Sequence, residues 1–299
     1  MSLVITRLSG GLGNQMFQYA TGRALARRCG AALKLDLSGF AVIAAHTRRR
    51  YELDFFPIHG SAANDVDLAR FDSTGQLQSP RFDRVLRLLR IGRSNGAWPI
   101  YRERHFHFDP SVIELSAPVY LDGFWQSEKY FSNIADVLRQ EFTPTAPFES
   151  ENSTLAKLID TVNAVSLHVR RGDYVSNPTT NQFHGICSLD YYQRAIDYIT
   201  ARVEAPHLLV FSDDQTWTRA NLRSTVPTTF VVANPPECGY RDMQLMARCR
   251  HHIIANSSFS WWGAWLNHLP EKIVVAPRRW FNASGGDTRD LIPPSWVRL

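Results

Sequence analysis

Apolar residues along this chain come in two patterns that take turns: short continuous runs, and residues spaced three and four apart. The first pattern predicts strands buried on both faces, the second helices with one apolar side. Leu3 to Leu8 is such a run. The stretch Gly10-Gly11-Leu12-Gly13 follows, and Asn14 is expected to cap a helix reaching about Cys29. Met16, Phe17, Ala20, Ala24 and Leu25 give that helix one apolar face, and Gly30 is a natural stop. Ala32 to Leu37 reads as the next strand. The chain thus opens strand, loop, helix, strand, the mark of a parallel α/β sheet.

The period blurs from Ser38 to Pro118. One stretch there keeps a rhythm: Arg81, Arg84, Arg87, Arg90 and Arg93 recur among apolar residues, predicting an amphipathic helix with a basic face. Such a face suits plain solvation or contact with an anionic membrane surface. Val119 to Leu121 reads as a strand and Glu128 to Gln140 as a helix. Phe142 to Asn152, with Pro144 and Pro147, reads as a linker, so the expected domains are 1–150 and 151–299. Beyond it the two patterns alternate regularly. Val165 to Val169, Leu208 to Phe211, Thr229 to Val232, His252 to Ala255 and Ile273 to Ala276 read as strands. Leu189 to Val203, Gln215 to Leu222, Arg241 to Arg250 and Ser260 to Leu266 read as helices between and after them. This is a doubly wound sheet, which binds ligands at the carboxyl ends of its strands.

The composition narrows the class. With 299 residues, 44% hydrophobic and 20% charged, the chain is neither disordered, collagen-like nor a disulfide mini-protein. The longest weakly charged apolar stretch, Ile253 to Leu266, is interrupted by Asn256, Ser257, Ser258 and Ser260 and falls short of a membrane span. The first residues show no basic region ahead of an apolar one, so no secretory signal and a cytoplasmic location are expected. None of the four cysteines forms a CxxC pair, which favours reduced thiols. A net charge of +5 is too small to argue for nucleic acid but suits an anionic small-molecule substrate.

Four clusters can carry chemistry. Gly10 to Gln15, between a strand and a helix, offers backbone N–H groups to an anion or sugar, or is simply a tight turn. It is neither a dinucleotide fingerprint nor a Walker loop. His168, Arg170, Arg171 and Asp173 leave the end of an apolar strand, where arginine can fork onto a diphosphate. Asp173 can orient an arginine there or act as a base. Asp213 and Asp214 end another strand; they read as a metal site, as readers of a base or ribose, or as a helix cap. Asn256, Ser257, Ser258 and Phe259 open a helix whose amides can cradle phosphate, while Trp261, Trp262 and Trp265 stack on a sugar or fill the core. His105 with His107, and His251 with His252, lack acids or cysteines at zinc spacing and read as structural.

Together these motifs resemble one family. GGLGNQMFQYA (10–20) resembles the opening of the alpha-1,2-fucosyltransferases, glycosyltransferase family 11. HVRRGDY (168–174) matches their HxRRxDY motif, and DMQLMARCRHHIIANSSFSWWGAW (242–265) is similar to their second long block. DGFWQSEKYF (122–131) and VVAP (274–277) with Trp280 match further blocks. The resemblance implies a GT-B architecture, two Rossmann-like halves facing across a cleft, with an acceptor-side N-terminal domain and a GDP-sugar-binding C-terminal one. It implies GDP-fucose as donor, no metal or other cofactor, and inverting transfer to the 2-hydroxyl of a terminal galactose. By the same match Arg170 meets the departing diphosphate, with His168 and Arg171 beside it. Asp213 or Asp214 meets the guanine or ribose, and Asn256, Ser257, Ser258 and Phe259 line the nucleotide. Gly11, Gly13, Asn14 and Gln15 face the sugar and acceptor. Asp173 is the first candidate for a base and His168 the second. The expected acceptor is a galactose-terminated oligosaccharide, in one reading lipid-linked at the inner membrane face. Another GDP-sugar transferase, such as a protein O-fucosyltransferase, and a metal-dependent transferase using Asp213 and Asp214 are the alternatives.

Overall fold

The computed structural model describes residues 2–40, 49–76, 98–172, 182, 185–282 and 286–299, with the backbone alone for 72–76. The basic stretch Arg81 to Arg93 and Asp173 lie outside the described residues. The chain forms two compact units, Met1–Pro144 with Gly286–Leu291 and Thr145–Gly285 with Ile292–Leu299. Among the described residues each unit holds one six-stranded sheet in which every pairing is parallel.

In the first unit the strands are β1 (Leu3–Arg7), β2 (Ala32–Asp36), β3 (Ser61–Ala62), β4 (Phe71–Gln76), β5 (Trp98–Arg102) and β6 (Val119–Asp122). Their spatial order is β3-β2-β1-β6-β5-β4. A helix, Leu12–Cys29, joins β1 to β2. It begins before Asn14, contrary to expectation: Gly11 is the cap, and its carbonyl accepts the amides of Asn14 and Gln15 at 2.9 and 3.1 Å. Gly30 stops the helix in the left-handed region at φ 58°, as its lack of a Cβ allows. The expected single apolar face is also corrected. Gln15 and Gln18 are as buried as Met16, Phe17 and Ala20, because their amides are hydrogen-bonded inside the unit. The helix expected over Glu128 to Gln140 is instead two short 3-10 turns, Glu128–Tyr130 and Ser132–Ile134, followed by an α-helix, Ala135–Glu141. Phe131 breaks it at φ −142°, and its fully buried ring packs 6.0 Å from that of Phe17.

In the second unit the strands are β7 (Asn163–Val169), β8 (Pro206–Ser212), β9 (Thr228–Phe230), β10 (His251–Ile253), β11 (Val274–Ala276) and β12 (Val297–Arg298). Their order is β12-β11-β10-β7-β8-β9. Both faces of this sheet are covered, which is why its strands are continuous apolar runs. Val165, Leu167 and Val169 pack with Tyr191, Tyr192 and Ile196 of the helix Leu189–Thr200. Ala164, Leu209 and Phe211 pack on the other face with Leu245, Met246 and Ile159. Ile159 belongs to the helix Ser150–Thr161, whose first residues fall in the stretch expected to be linker. Its apolar positions, Leu155, Ala156, Leu158 and Ile159, are confined to its second half, and the polar first half hides it in the pattern. The three tryptophans of the helix Ser258–Leu266 fill core: the ring of Trp262 lies 5.1 Å from those of Trp261 and Trp265, and Trp296 is 5.5 Å from Trp261. His252 is buried and satisfied by Ser166 and Asn267, both at 2.8 Å, and is structural as expected. Among the described residues no helix is long and apolar enough to cross a membrane.

One buried ion pair closes the first unit's core. Glu141 accepts two bonds from Arg23 through Oε1, at 2.8 and 3.0 Å, and one from Tyr19 Oη at 2.6 Å. Removing one partner of such a pair strands the other charge. Arg23→Met is therefore expected to lower stability by about 3 kcal/mol in a urea titration. A loss under about 1 kcal/mol would show the pair to be a surface contact in energetic terms.

Candidate active site

In the second sheet one pair of neighbouring strands, β7 and β10, carries chains that leave in opposite directions, β7 towards β8 and β9 and β10 towards β11 and β12. Loops diverge at the carboxyl ends of such a pair and leave room for a ligand. In the second unit the loop after β7 carries Arg170 and Arg171, and the loop after β10 carries Asn256 and Ser257.

Arg170 is anchored. Its Nη1 lies 2.8 Å from Asp213 Oδ2, while Asp213 Oδ1 accepts the backbone N–H of Arg171 at 2.8 Å. Gly172 makes that approach possible, since a Cβ there would fall 2.5 Å from Asp213 Oδ2. Arg171 Nε pairs with Asp214 Oδ2 at 3.2 Å, and its guanidinium lies 3.5 Å from the ring centre of Trp217. Asp214 also caps the helix Gln215–Asn221 by accepting from Trp217 N at 3.1 Å. Both carboxylates thus face arginines. A divalent cation at Asp213 and Asp214 would have to displace guanidinium groups already neutralising them. Free carboxylate readers of a base or ribose are likewise not what the structure presents at these two positions.

His168 lies on the face of β7 shared with Ala164, its ring 5.6 Å from that of Phe259. Burial, and then the charge of Arg170, push its pKa down to about 3. Its neutral form is thereby favoured, and its low basicity counts against it as a proton acceptor. Its Nδ1 is buried and has no hydrogen-bond partner among the described residues, a state that asks for a ligand or water. Asn256 is tied down: its Nδ2 donates to the carbonyls of Trp280 and Gly185 at 3.1 and 3.3 Å. It shapes the loop beneath the helix Ser258–Leu266. That helix opens with no acidic residue in its first turn and no side-chain cap from Ser257. Its N-terminal dipole is therefore not met by a carboxylate from its own first turn.

A further carboxylate stands one helix turn from a residue that lies against Phe259. Asp242 sits in the first turn of the helix Gly239–Arg248 and accepts from Asn234 Nδ2 at 2.6 Å. Gly239, one turn back, lies against the Phe259 ring: a Cβ built on it would be 3.7 Å away. Burial raises the pKa of Asp242 to about 6. The sequence offered only its place at the start of the 242–265 block as a signal.

In the first unit β1 and β6 are neighbours whose carboxyl-end loops meet, but β1 runs on to β2 while β6 is the last strand of its sheet in chain order. Glu52 takes a backbone hydrogen bond from Leu12, so the start of the helix Leu12–Cys29 already meets the protein's own carboxylate. Arg49 flanks the same loop, its Nη1 3.4 Å from where a Cβ on Gly11 would sit, so the loop that holds Gly11 and Gly13 meets charges of both signs. Gln15 is fully buried, its Nε2 donating to the carbonyls of Gly10 and Arg50 at 3.0 and 2.8 Å and its Oε1 accepting Glu52 N at 2.9 Å. Its amide is committed to the loop rather than offered to a ligand. Asn14 Oδ1 accepts Gln126 Nε2 at 2.9 Å, a contact that joins the β1 loop to the β6 loop. Gln18 does the same beneath them: its Oε1 accepts Ser9 N at 2.9 Å, and its Nε2 donates to the Gly123 carbonyl at 3.1 Å.

The Glycosyl transferase family 11 pattern matches residues 100–299. The chain belongs to that family. It is 35% identical to an Escherichia coli alpha-1,2-colitosyltransferase over 100% of this chain and 99% of that one. It is 34% identical to the Escherichia coli O-antigen biosynthesis glycosyltransferase WbnK over 98% of this chain and 99% of that one. The bovine galactoside 2-alpha-L-fucosyltransferase SEC1 is 25% identical over 86% of this chain and 62% of its own length. The structure of a mutant Arabidopsis thaliana FUT1 in complex with GDP overlaps with a TM-score of 0.51, covering 91% of this chain and 70% of that one at 13% identity. The protein is a glycosyltransferase, and its two parallel α/β units are of the GT-B type.

For this glycosyltransferase Gln15 provides a clean separation of scaffold from site. Gln15→Leu removes three internal hydrogen bonds, each worth about 1 kcal/mol, and should lower stability by about 3 kcal/mol in urea. Lost donor affinity at unchanged stability would instead mark Gln15 as a ligand contact.

Proposed function

We propose that this glycosyltransferase moves L-fucose from GDP-fucose to the 2-hydroxyl of a terminal galactose, inverting the anomeric centre and using no metal. The observation that carries the reading is the anchored Arg170 at the β7–β10 junction, in a unit whose helix Ser258–Leu266 has no acidic residue in its first turn. In a single displacement the galactose oxygen bonds to the anomeric carbon as the bond to the diphosphate breaks, so negative charge grows on the departing GDP. A fixed guanidinium and a helix N-terminus meet that charge without reorganising. Asp213 holds Arg170 in place, Arg171 adds a second cation, and Ser257 and Ser258 line the diphosphate. Phe259 and His168 wall the nucleoside. Asp242 accepts the two N–H groups on the guanine edge, a pairing a carboxylate makes and uracil or cytosine cannot reproduce. The base that takes the galactose proton is assigned to Asp173 on the family motif alone.

The second unit is thus the donor domain and the first the acceptor domain. The acceptor is a galactose-terminated oligosaccharide, lipid-linked at the cytoplasmic membrane face; the O-antigen role in the name of one relative supports this. A second donor is favoured by the 35% identity to a colitosyltransferase: colitose is L-fucose without its 3-hydroxyl, and GDP-colitose would occupy the same seat.

Thermal shifts with GDP, UDP and CMP, each with and without EDTA, test the donor class. A ligand at about 100 times its Kd adds about 2.7 kcal/mol. A GDP-selective shift indifferent to EDTA is expected; a UDP shift, or one abolished by EDTA, would overturn the reading. Turnover with GDP-fucose against GDP-colitose then decides the sugar. Arg170→Ala is expected to lower kcat by about a hundredfold or more with the melting temperature held. Near-normal turnover would sink its assignment. Asp242 gives a pH test. Only its ionised form accepts from guanine, so affinity for GDP-fucose, a diester with no protonation step of its own nearby, should fall as pH drops through about 6. Asp242→Asn should flatten that profile, and a profile unchanged by the substitution would exclude the role.

A further inference from the structure

Among the large hydrophobic side chains that are exposed in the described residues, Phe124 is the one aromatic, at 42% exposure. It stands in the loop that leaves β6, beside the β1–β6 junction of the first unit. Between Asp122 and Ser127 every other residue is buried or half-buried.

That loop is held with unusual thoroughness. Glu103, just past β5, accepts the N–H of Phe124 through Oε2 at 2.8 Å and that of Trp125 through Oε1 at 3.0 Å. Its own N–H donates to the Asp122 carbonyl at 2.8 Å. Gln18 holds the Gly123 carbonyl, and Gln126 reaches across to Asn14. Gly123 has no room for a side chain, since a Cβ would fall 2.5 Å from Glu103 Cβ. Trp125 follows in the left-handed region at φ 56°, strained for a residue with a Cβ, its ring fully buried. Strain that persists this way must be over-determined by its surroundings, and here it is. The side chain that all these contacts leave in solvent is the phenyl ring of Phe124.

Resting on the transfer reading above, we propose that Phe124 is the stacking platform for the galactose ring of the acceptor, with Glu103 as its positioning residue. With its axial 4-hydroxyl on one side, galactose turns an apolar C–H face to the other, and a rigid aromatic ring covers such a face at little conformational cost. The neutral ring suits a neutral sugar, and the charge in this unit's helix N-terminus is already met by Glu52.

Steady-state kinetics with GDP-fucose and a galactoside test this on the full chain. Phe124→Ala is expected to raise the acceptor KM about tenfold, with donor KM, release of fucose to water and melting temperature unchanged; Phe124→Tyr restores the acceptor KM. Glu103→Gln, which keeps one accepting oxygen, should raise the acceptor KM by a smaller factor and leave the donor KM alone. An unchanged acceptor KM in Phe124→Ala, or an equal rise in donor KM, overturns the proposal. A wild type that binds GDP-fucose yet transfers only to an acceptor without galactose overturns the galactose reading and this inference together, and is told apart by the wild-type assay alone.

Discussion

Where the chains of two neighbouring parallel strands part at their carboxyl ends, as after β1 and β6 or after β7 and β10, the sheet's own hydrogen-bond ladder cannot continue. The diverging backbones must be sutured by side chains or left to water. This chain sutures both junctions with buried polar groups. Gln18 ties Ser9 to Gly123 in the first unit. In the second, Asp213 takes the N–H of Arg171 and Asn256 holds the carbonyls of Gly185 and Trp280. Each suture uses a side chain at a distant point of the sequence, and each fixes the residues expected to meet substrate. Positioning at these loops follows from satisfying the backbone.

The two units then diverge in electrostatics. One helix N-terminus is met by Glu52, and the corresponding region of the other unit is flanked by arginines whose counter-ions are Asp213 and Asp214. The two units thereby carry different charge arrangements, a carboxylate beside Arg49 and Arg50 in one and two arginine–aspartate pairs in the other.

Much of this was legible in the chain. The strands of the second unit are read from apolar runs because the sheet is covered on both faces, and the loops after β1 and β7 are read because their glycines and arginines are contiguous. The first unit's outer strands were not, because β3 is two exposed residues and carries no apolar signal. The surroundings of Gln15, Asn256 and Asp213 are not legible in the sequence for a different reason. Their residue types suit a ligand, and only the fold reveals that their hydrogen bonds go to the protein's own loops and arginines. Glu52 and Asp242 escaped notice because a lone acid is unremarkable until burial is known.

The first unit is assembled from two stretches of chain, the second of them Gly286–Leu291. Asp290 in that stretch reaches Lys129 Nζ and the Phe108 N–H through its carboxylate, and its carbonyl accepts Ser127 Oγ at 2.7 Å. Synthesis on the ribosome proceeds from the amino end, so the early half waits, incomplete, until nearly all of the later half has been made. The order of emergence is therefore not the order of closure: the second unit can pair its central strands before the first has received its last six residues.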